Sequence, residues 1–217
     1  MIYDVAIIGA GFAGLSCAAA LNARGIRSVL FEKKSSLRSH IHTTGIIVQE
    51  AINEWNISPS LLKTVNAVRM HSPWLDAIEV KSPSYNFYLT DTGGILEEKL
   101  QSLQNKTCTI KLNSAVTKIE RTSQGFQFPE HNIESRFLVL ADGANTSLSK
   151  HLGFERNTEF LAGHELEFPL DTLPKENVMN VFLHPKICKG YIGWVISGVD
   201  VVQVGLAVNR GETLSID

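Results

Sequence analysis

The chain has 217 residues, of which 44% are hydrophobic and 19% are charged, and its formal net charge is −2 at pH 7. This balance is typical of a folded globular protein, and the near-neutral charge excludes the broad basic surface that nucleic-acid binding needs. The three cysteines, Cys17, Cys108 and Cys188, are odd in number and far apart in sequence. They fit a reducing compartment rather than a disulfide framework, so we expect a cytoplasmic protein, with attachment to a membrane surface left open.

The N-terminal region predicts a strand, a helix and a second strand. Ile2–Ile8 is a short β-branched apolar run of buried-strand length. Residues 12–24 have the pattern of a helix, and Gly25 suits its C-terminal stop. A second apolar run, Ser28–Phe31, ends at Glu32. Such a unit predicts two parallel strands joined by a right-handed crossover.

Residues 5–23 carry no charge and are about as long as a membrane span. The stretch is rich in Gly, Ala and Ser, and the acidic Asp4 stands where a signal peptide would be basic. We therefore predict a strand, a glycine turn and a helix here, and no transmembrane segment.

The rest of the chain alternates between helical and strand-like spacing. Residues 45–55 and 94–104 have helical spacing, whereas residues 67–90 have the period of two that antiparallel strands show. Apolar runs predict further strands at 107–111, 116–121, 126–128, 137–141, 165–168, 178–183, 191–197 and 201–208. The run 137–141 is apolar throughout, which predicts a sheet covered on both faces.

The loop after the first strand has G-x-G-x-x-G spacing, formed by Gly9, Ala10, Gly11, Phe12, Ala13 and Gly14. Gly9 permits the tight turn, Gly11 lets a pyrophosphate approach the backbone, and Gly14 lets helix and strand pack closely. The helix N-terminus offers N–H groups and partial positive charge to phosphates. Glu32 would accept hydrogen bonds from the hydroxyls of an adenosine ribose. The pattern predicts a dinucleotide site.

A second segment distinguishes between FAD and NAD. Residues 137–153 read FLVLADGANTSLSKHLG. This resembles the Ala-Asp-Gly-x-x-Ser segment of the flavoprotein superfamily that includes para-hydroxybenzoate hydroxylase, squalene epoxidase and geranylgeranyl reductases. In that superfamily the Asp-Gly turn lies near the FAD pyrophosphate and ribityl chain and is linked to NAD(P)H handling. The resemblance therefore assigns Asp142 and Gly143 to FAD, and it implies NAD(P)H as a candidate reductant.

The same resemblance implies further cofactor-binding positions. Lys33 and Arg38 are similar to the acidic–basic stretch after the second strand, in which an Arg approaches the flavin. Val116 stands where the superfamily places backbone groups against the adenine. By position alone, Thr44 and Gly45 are expected to lie where the chain passes back beside the isoalloxazine ring of FAD.

Residues 191–196 and 204–206 resemble the hairpin that lines the substrate cavity of geranylgeranyl-reductase-like members. Three departures accompany the resemblance. Thr146 and Ser149 stand where the superfamily usually has Ser and Arg, which weakens the case for direct NAD(P)H docking. There is no redox cysteine at residues 42–45, and the third FAD motif, a Gly-Asp dipeptide, does not occur. We expect the chain to match the first half to two-thirds of a superfamily member, truncated at its C-terminus.

The predicted fold class is α/β, a Rossmann-like FAD-binding domain with a parallel sheet plus an antiparallel β-sheet substrate domain. Residues 1–66 and 92–155 are expected to form the first domain. Residues 67–91 and 156–217 are expected to form the second, which would be incomplete. A domain for NAD alone would need a second strand–helix–strand frame, and the segments after Gly153 are instead antiparallel in pattern.

The expected function is that of an FAD-dependent oxidoreductase acting on an apolar or aromatic small molecule through reduced flavin. The hairpin favours alkene reduction over monooxygenation. The alternative is a truncated or split flavoprotein that binds FAD weakly and needs a partner chain or oligomer to cover its open edge, or is inactive alone. The sequence identifies no catalytic acid or base. His40 and His42 lack further ligands, so no metal site is predicted.

Overall fold

The computed structural model describes residues 1–43, 45–103, 107–144, 148–155, 157–174 and 176–212. The chain forms two compact units, each built from two separate stretches. Unit 1 comprises Met1–Ile41 and Gly93–Asn157, and unit 2 comprises His42–Thr92 and Thr158–Asp217. The boundary predicted at residue 66 therefore lies later than the boundary between the units.

The elements, in chain order, are β1 Ile2–Ile8, α1 Phe12–Ala23, β2 Ser28–Phe31, β3 Ile46–Val48, α2 Gln49–Trp55, β4 Leu62–Val65, β5 Ala67–His71, β6 Ala77–Lys81, β7 Phe87–Thr90, α3 Thr92–Ser102, β8 Cys108–Lys111, β9 Glu120–Thr122, β10 Gly125–Phe128, β11 Ile133–Leu140, α4 Leu148–His151, β12 Leu161–Pro169, β13 Val178–Phe182, β14 Gly193–Ser197 and β15 Val201–Asn209. Among the described residues, no helix is long and apolar enough to cross a membrane.

Unit 1 contains a six-stranded sheet in the order β8-β2-β1-β11-β10-β9. The first four strands are parallel, and β10 and β9 continue the sheet antiparallel. Ile8 lies opposite both Phe31 and Leu140, so β1, β2 and β11 end at the same edge of the sheet. Helix α1 buries Gly14, Leu15 and Ala18. The Rossmann-like arrangement predicted from the sequence is confirmed.

One part of the apolar core of unit 1 lies where the aromatic side chains of β2 and β10 meet. The ring centroids of Phe31 and Phe128 are 5.4 Å apart, and both side chains are buried. Strand β11 is less well covered, because Phe137 is 58% exposed. Beyond Ser135, no other described strand pairs with β11 on the side away from β1. The predicted cover of this strand is therefore incomplete in the described part of the chain, since Phe137 is exposed and Leu138, Val139 and Leu140 are half-buried.

Two predicted elements differ from those observed. The helix predicted at 45–55 begins as a strand, because the β-branched residues of β3 pair with β7 before α2 starts. The strand predicted at 116–121 is wrong for most of its length, since only Glu120–Thr122 is a strand. The backbone N–H of Thr117 donates to Glu130 Oε2 at 2.9 Å. A side chain therefore accepts the hydrogen bond that the backbone of a neighbouring strand would otherwise accept.

Unit 2 consists of two sheets around an apolar core. The larger sheet has the order β12-β15-β14-β13-β5-β6 and is antiparallel except for the pair β13–β5. The smaller sheet, β3-β7-β4, is antiparallel. This pairing of β3 and β4 with β7 is why residues 42–66 belong to unit 2. The core residues are Val65, Leu89, Met179, Val181, Trp194, Ile196 and Ala207. The predicted antiparallel sheet is confirmed.

Candidate cofactor site

The glycine loop between β1 and α1 is held by two close backbone approaches. Gly9 has a φ of +102°, and a Cβ there would lie 2.3 Å from the carbonyl oxygen of Ala141. A Cβ at Gly14 would lie 1.8 Å from the carbonyl oxygen of Gly9. Both positions exclude a side chain on steric grounds, since the opposing atoms belong to the backbone. Packing within unit 1 therefore explains these two glycines.

Gly11 has a different explanation. Its φ is −77°, which any residue adopts, and a Cβ there would meet no atom within 4 Å. Neither strain nor protein packing requires glycine at this position. Gly11 is the N-cap of α1, has no side-chain cap, and is followed by no acidic residue in the first turn. The open space beside an uncapped helix N-terminus fits a group that needs close approach to the backbone, as a phosphate does.

Glu32 is joined directly to the same loop. The side chain is only 8% exposed, and its Oε2 accepts the backbone N–H of Ala10 at 2.8 Å. Its Oε1 accepts the backbone N–H of Lys34 at 2.9 Å. An ionised carboxylate offers about four acceptor positions, so both oxygens keep capacity for further donors. The ribose role of Glu32 stays a prediction, and the sequence did not reveal its bond to Ala10.

The turn after β11 lies against the glycine loop. Ala141 donates its backbone N–H to the carbonyl of Ile8 at 2.8 Å, and its own carbonyl is the atom that excludes a side chain at Gly9. Asp142 follows half-buried, and Gly143 is exposed with a φ of +91°. The two motifs therefore meet, because β1 and β11 are neighbours that end at one edge.

The remaining predicted cofactor residues are less closely grouped. Lys33 is exposed, and Val116 is half-buried against the core of unit 1. Arg38 Nε donates to Glu97 Oε2 at 2.8 Å, so an ion pair with α3 engages its guanidinium. Gly45 lies in unit 2, where Thr90 Oγ1 donates to its carbonyl at 2.8 Å. Thr44 lies outside the described residues.

The structure adds one carboxylate that the sequence did not single out. Glu165, in unit 2, accepts hydrogen bonds from Trp194 and Gln203. Burial raises the pKa of Glu165, and the two hydrogen bonds oppose that rise. The sequence around Glu165 alternates as in any strand, so it does not predict that Trp194 and Gln203 donate to this side chain. No group of three or more metal-binding side chains occurs among the described residues, and the three cysteines are free thiols.

Comparison with known proteins identifies the class. The sequence profile of the pyridine nucleotide-disulphide oxidoreductase family matches residues 3–175. The chain belongs to this oxidoreductase family. It is 26% identical to a digeranylgeranylglycerophospholipid reductase of Methanococcus vannielii in an alignment of 229 positions, gaps included, which covers 99% of this chain and 57% of the relative. The chain thus spans somewhat more than half the length of the curated relatives it matches.

Two solved structures share the fold. A geranylgeranyl bacteriochlorophyll reductase-like protein from Thermoplasma acidophilum has a TM-score of 0.82 and 14% identity, covering 95% of this chain and 56% of its own. PqsL from Pseudomonas aeruginosa, a probable FAD-dependent monooxygenase, has a TM-score of 0.71 and 12% identity, covering 98% and 62%. The resemblance to geranylgeranyl reductases and monooxygenases stated from the sequence is confirmed.

Proposed function

We propose that unit 1 binds FAD, with the pyrophosphate at the N-terminus of α1 and the adenosine ribose at Glu32. The main support for this proposal comes from Gly11. It is the one glycine of the loop that neither backbone strain nor packing requires. The proposal assigns the open space beside Gly11 to the pyrophosphate. Asp142 and Gly143 lie on the same edge of the sheet and would meet the ribityl side of the cofactor.

The residues of unit 1 would bind and orient the cofactor. The acceptor capacity left on Glu32 suits the two ribose hydroxyls, and its charge disfavours a 2′-phosphate at that place. Lys33, Arg38 and Val116 remain proposed contacts, and for Arg38 this would require sharing its guanidinium with Glu97. Bound flavin would supply hydride transfer to or from a substrate.

We propose a reductase acting on an apolar isoprenoid substrate, with NAD(P)H as the reductant. The Methanococcus vannielii relative and the hairpin at 191–206 support this choice. Monooxygenation is the second candidate, and the fold shared with PqsL favours it. The open edge of β11 supports a further alternative, in which the chain binds FAD well only when a partner chain covers that edge.

The test measures FAD binding by the purified chain and by three variants. Flavin absorbance and fluorescence titration report the binding. Gly11→Val should still fold, since its Cβ would meet no atom within 4 Å and the loss of a glycine N-cap costs only about 1 kcal/mol. It should weaken FAD binding about a hundredfold by displacing charge-assisted hydrogen bonds. Glu32→Gln should weaken it about tenfold. Gly163→Ala, a glycine of unit 2 with only ordinary contacts around its Cβ position, is the matched control and should bind like the parent.

Unchanged affinity in Gly11→Val would overturn the placement of the pyrophosphate. If the parent chain stays colourless after incubation with FAD, the proposal fails for this chain. Binding that appears only when a longer relative's C-terminal part is added would favour the partner-chain alternative.

A further inference from the structure

Glu165, Gly205 and Trp194 form one row across three strands of the larger sheet in unit 2. Gly205 on β15 lies opposite Glu165 on β12 and opposite Trp194 on β14. A Cβ at Gly205 would lie 2.3 Å from Cζ2 of the indole, so the ring crosses the middle strand over this glycine. Its Nε1 reaches the far strand and donates to Glu165 Oε2 at 2.8 Å.

Gln203 holds the other oxygen of the same carboxylate. Its Nε2 donates to Glu165 Oε1 at 3.1 Å. The amide oxygen of Gln203 is buried and has no hydrogen-bond partner among the described residues. Trp194 and Gln203 are 6% and 7% exposed, whereas Glu165 is only partly buried. The Glu165 carboxylate is thus held by two buried side chains, while the residue itself stays partly exposed.

The cluster has more acceptors than donors. Two of the roughly four acceptor positions of the Glu165 carboxylate are used, and the oxygen of Gln203 is unused. Glu167 lies opposite Gln203 and therefore on the same face as Glu165. Neither glutamate forms an ion pair with another described residue. Trp194 also belongs to the apolar core, so an apolar side chain borders these acceptors.

We propose that Glu165 is the acceptor of a binding site for the hydroxyl group of a small, otherwise apolar molecule. Trp194 and Gln203 are its positioning residues, because they fix both carboxylate oxygens. An alcohol on a hydrocarbon body matches this arrangement of one anchored acceptor beside apolar side chains. The inference rests on the proposed function only in taking unit 2 as the part that receives substrate.

The experiment compares geraniol with geranyl methyl ether, which has the same apolar body without the donor. The full chain carries Trp55→Phe and Trp74→Phe, which leaves Trp194 as its one indole. Saturable changes in Trp194 fluorescence report binding, with and without added FAD. Geraniol should bind about tenfold more tightly than the ether, as a hydrogen bond to a charged acceptor allows. Equal affinities, or no binding of either probe, would overturn the proposal.

Two substitutions and a matched control locate the acceptor. Glu165→Leu should abolish the preference for the alcohol, and Glu165→Gln, which keeps a weaker neutral acceptor, should reduce it severalfold. Glu167→Gln on the same face should leave it unchanged. A preference that survives both changes at Glu165, in variants with parental circular dichroism, would contradict the assignment. Loss of FAD binding leaves this result unaffected, so failure of the cofactor proposal is separately visible.

Discussion

The glycine loop of unit 1 and the Glu165 cluster of unit 2 use the same parts in different ways. Each contains a carboxylate that accepts two hydrogen bonds and a glycine that makes room for a neighbour. Backbone N–H groups hold Glu32, whereas side chains from neighbouring strands hold Glu165. In unit 1 the neighbour at the glycine is backbone, and in unit 2 it is an indole ring.

The difference shows which hydrogen bonds a local sequence pattern can predict and which it cannot. The donors to Glu32 are positioned by the path of the chain through a strand, a turn and a helix, so a short fingerprint predicts most of the arrangement. The donors to Glu165 come from strands about thirty to forty positions away in sequence. Only the register of the sheet brings them together.

The largest expected effect comes from Gly14→Ala in unit 1. The new methyl group would lie 1.8 Å from the carbonyl oxygen of Gly9, and a backbone atom cannot move aside without separating α1 from β1. We expect the free energy of unfolding to fall by about 3 kcal/mol or more, as measured by urea denaturation. Gly11→Ala is the control and should lower it by only about 1 kcal/mol, the usual difference between Gly and Ala at a helix N-cap. Equal losses in both variants would refute the distinction between these glycines.

A smaller effect is expected from Gly205→Ala in unit 2. The methyl group would meet the indole of Trp194, which can rotate away at the expense of its hydrogen bond to Glu165. The free energy of unfolding should fall by about 2 kcal/mol, and Trp194 fluorescence should report greater solvent exposure. If Gly205→Ala destabilises the protein more than Gly14→Ala does, the claim that a clash with backbone costs more than a clash with a movable side chain is wrong.

The smallest effect concerns the dependence of stability on pH. Burial raises the pKa of Glu165 in the folded state, so the proton is held more tightly there than in the unfolded chain. The resulting stability is present below the ordinary pKa of Glu and is lost as pH rises through the raised, folded value. Glu167 is the other charged group on this face of β12, and β14 and β15 contribute the uncharged Trp194 and Gln203.

Glu165→Gln lacks this titration and provides the comparison. The stability of the variant relative to the parent should therefore increase between about pH 4 and about pH 8. Urea midpoints of both proteins at the two pH values measure the change. A difference that is constant with pH, or that falls as pH rises, would show that the Glu165 carboxyl is not destabilised by burial.

The sequence by itself determined the strand–helix–strand of unit 1, because β1, α1 and β2 are formed by local periodicity and a glycine turn. It also determined the α/β class and the family resemblance. The local pattern predicted the wrong structure at residues 45–55 and 116–121. In the first segment β3 pairs with β7, and in the second the backbone of Thr117 donates to the side chain of Glu130.

Only the tertiary structure decided which distant groups meet. Ala141 explains Gly9 because β1 and β11 are neighbours, Glu97 pairs with Arg38, and Glu165 is held by Trp194 and Gln203. The physical reason is the same in each case. A turn or a helix is fixed by contacts between residues close in sequence, whereas strand order and register are fixed by contacts between distant ones.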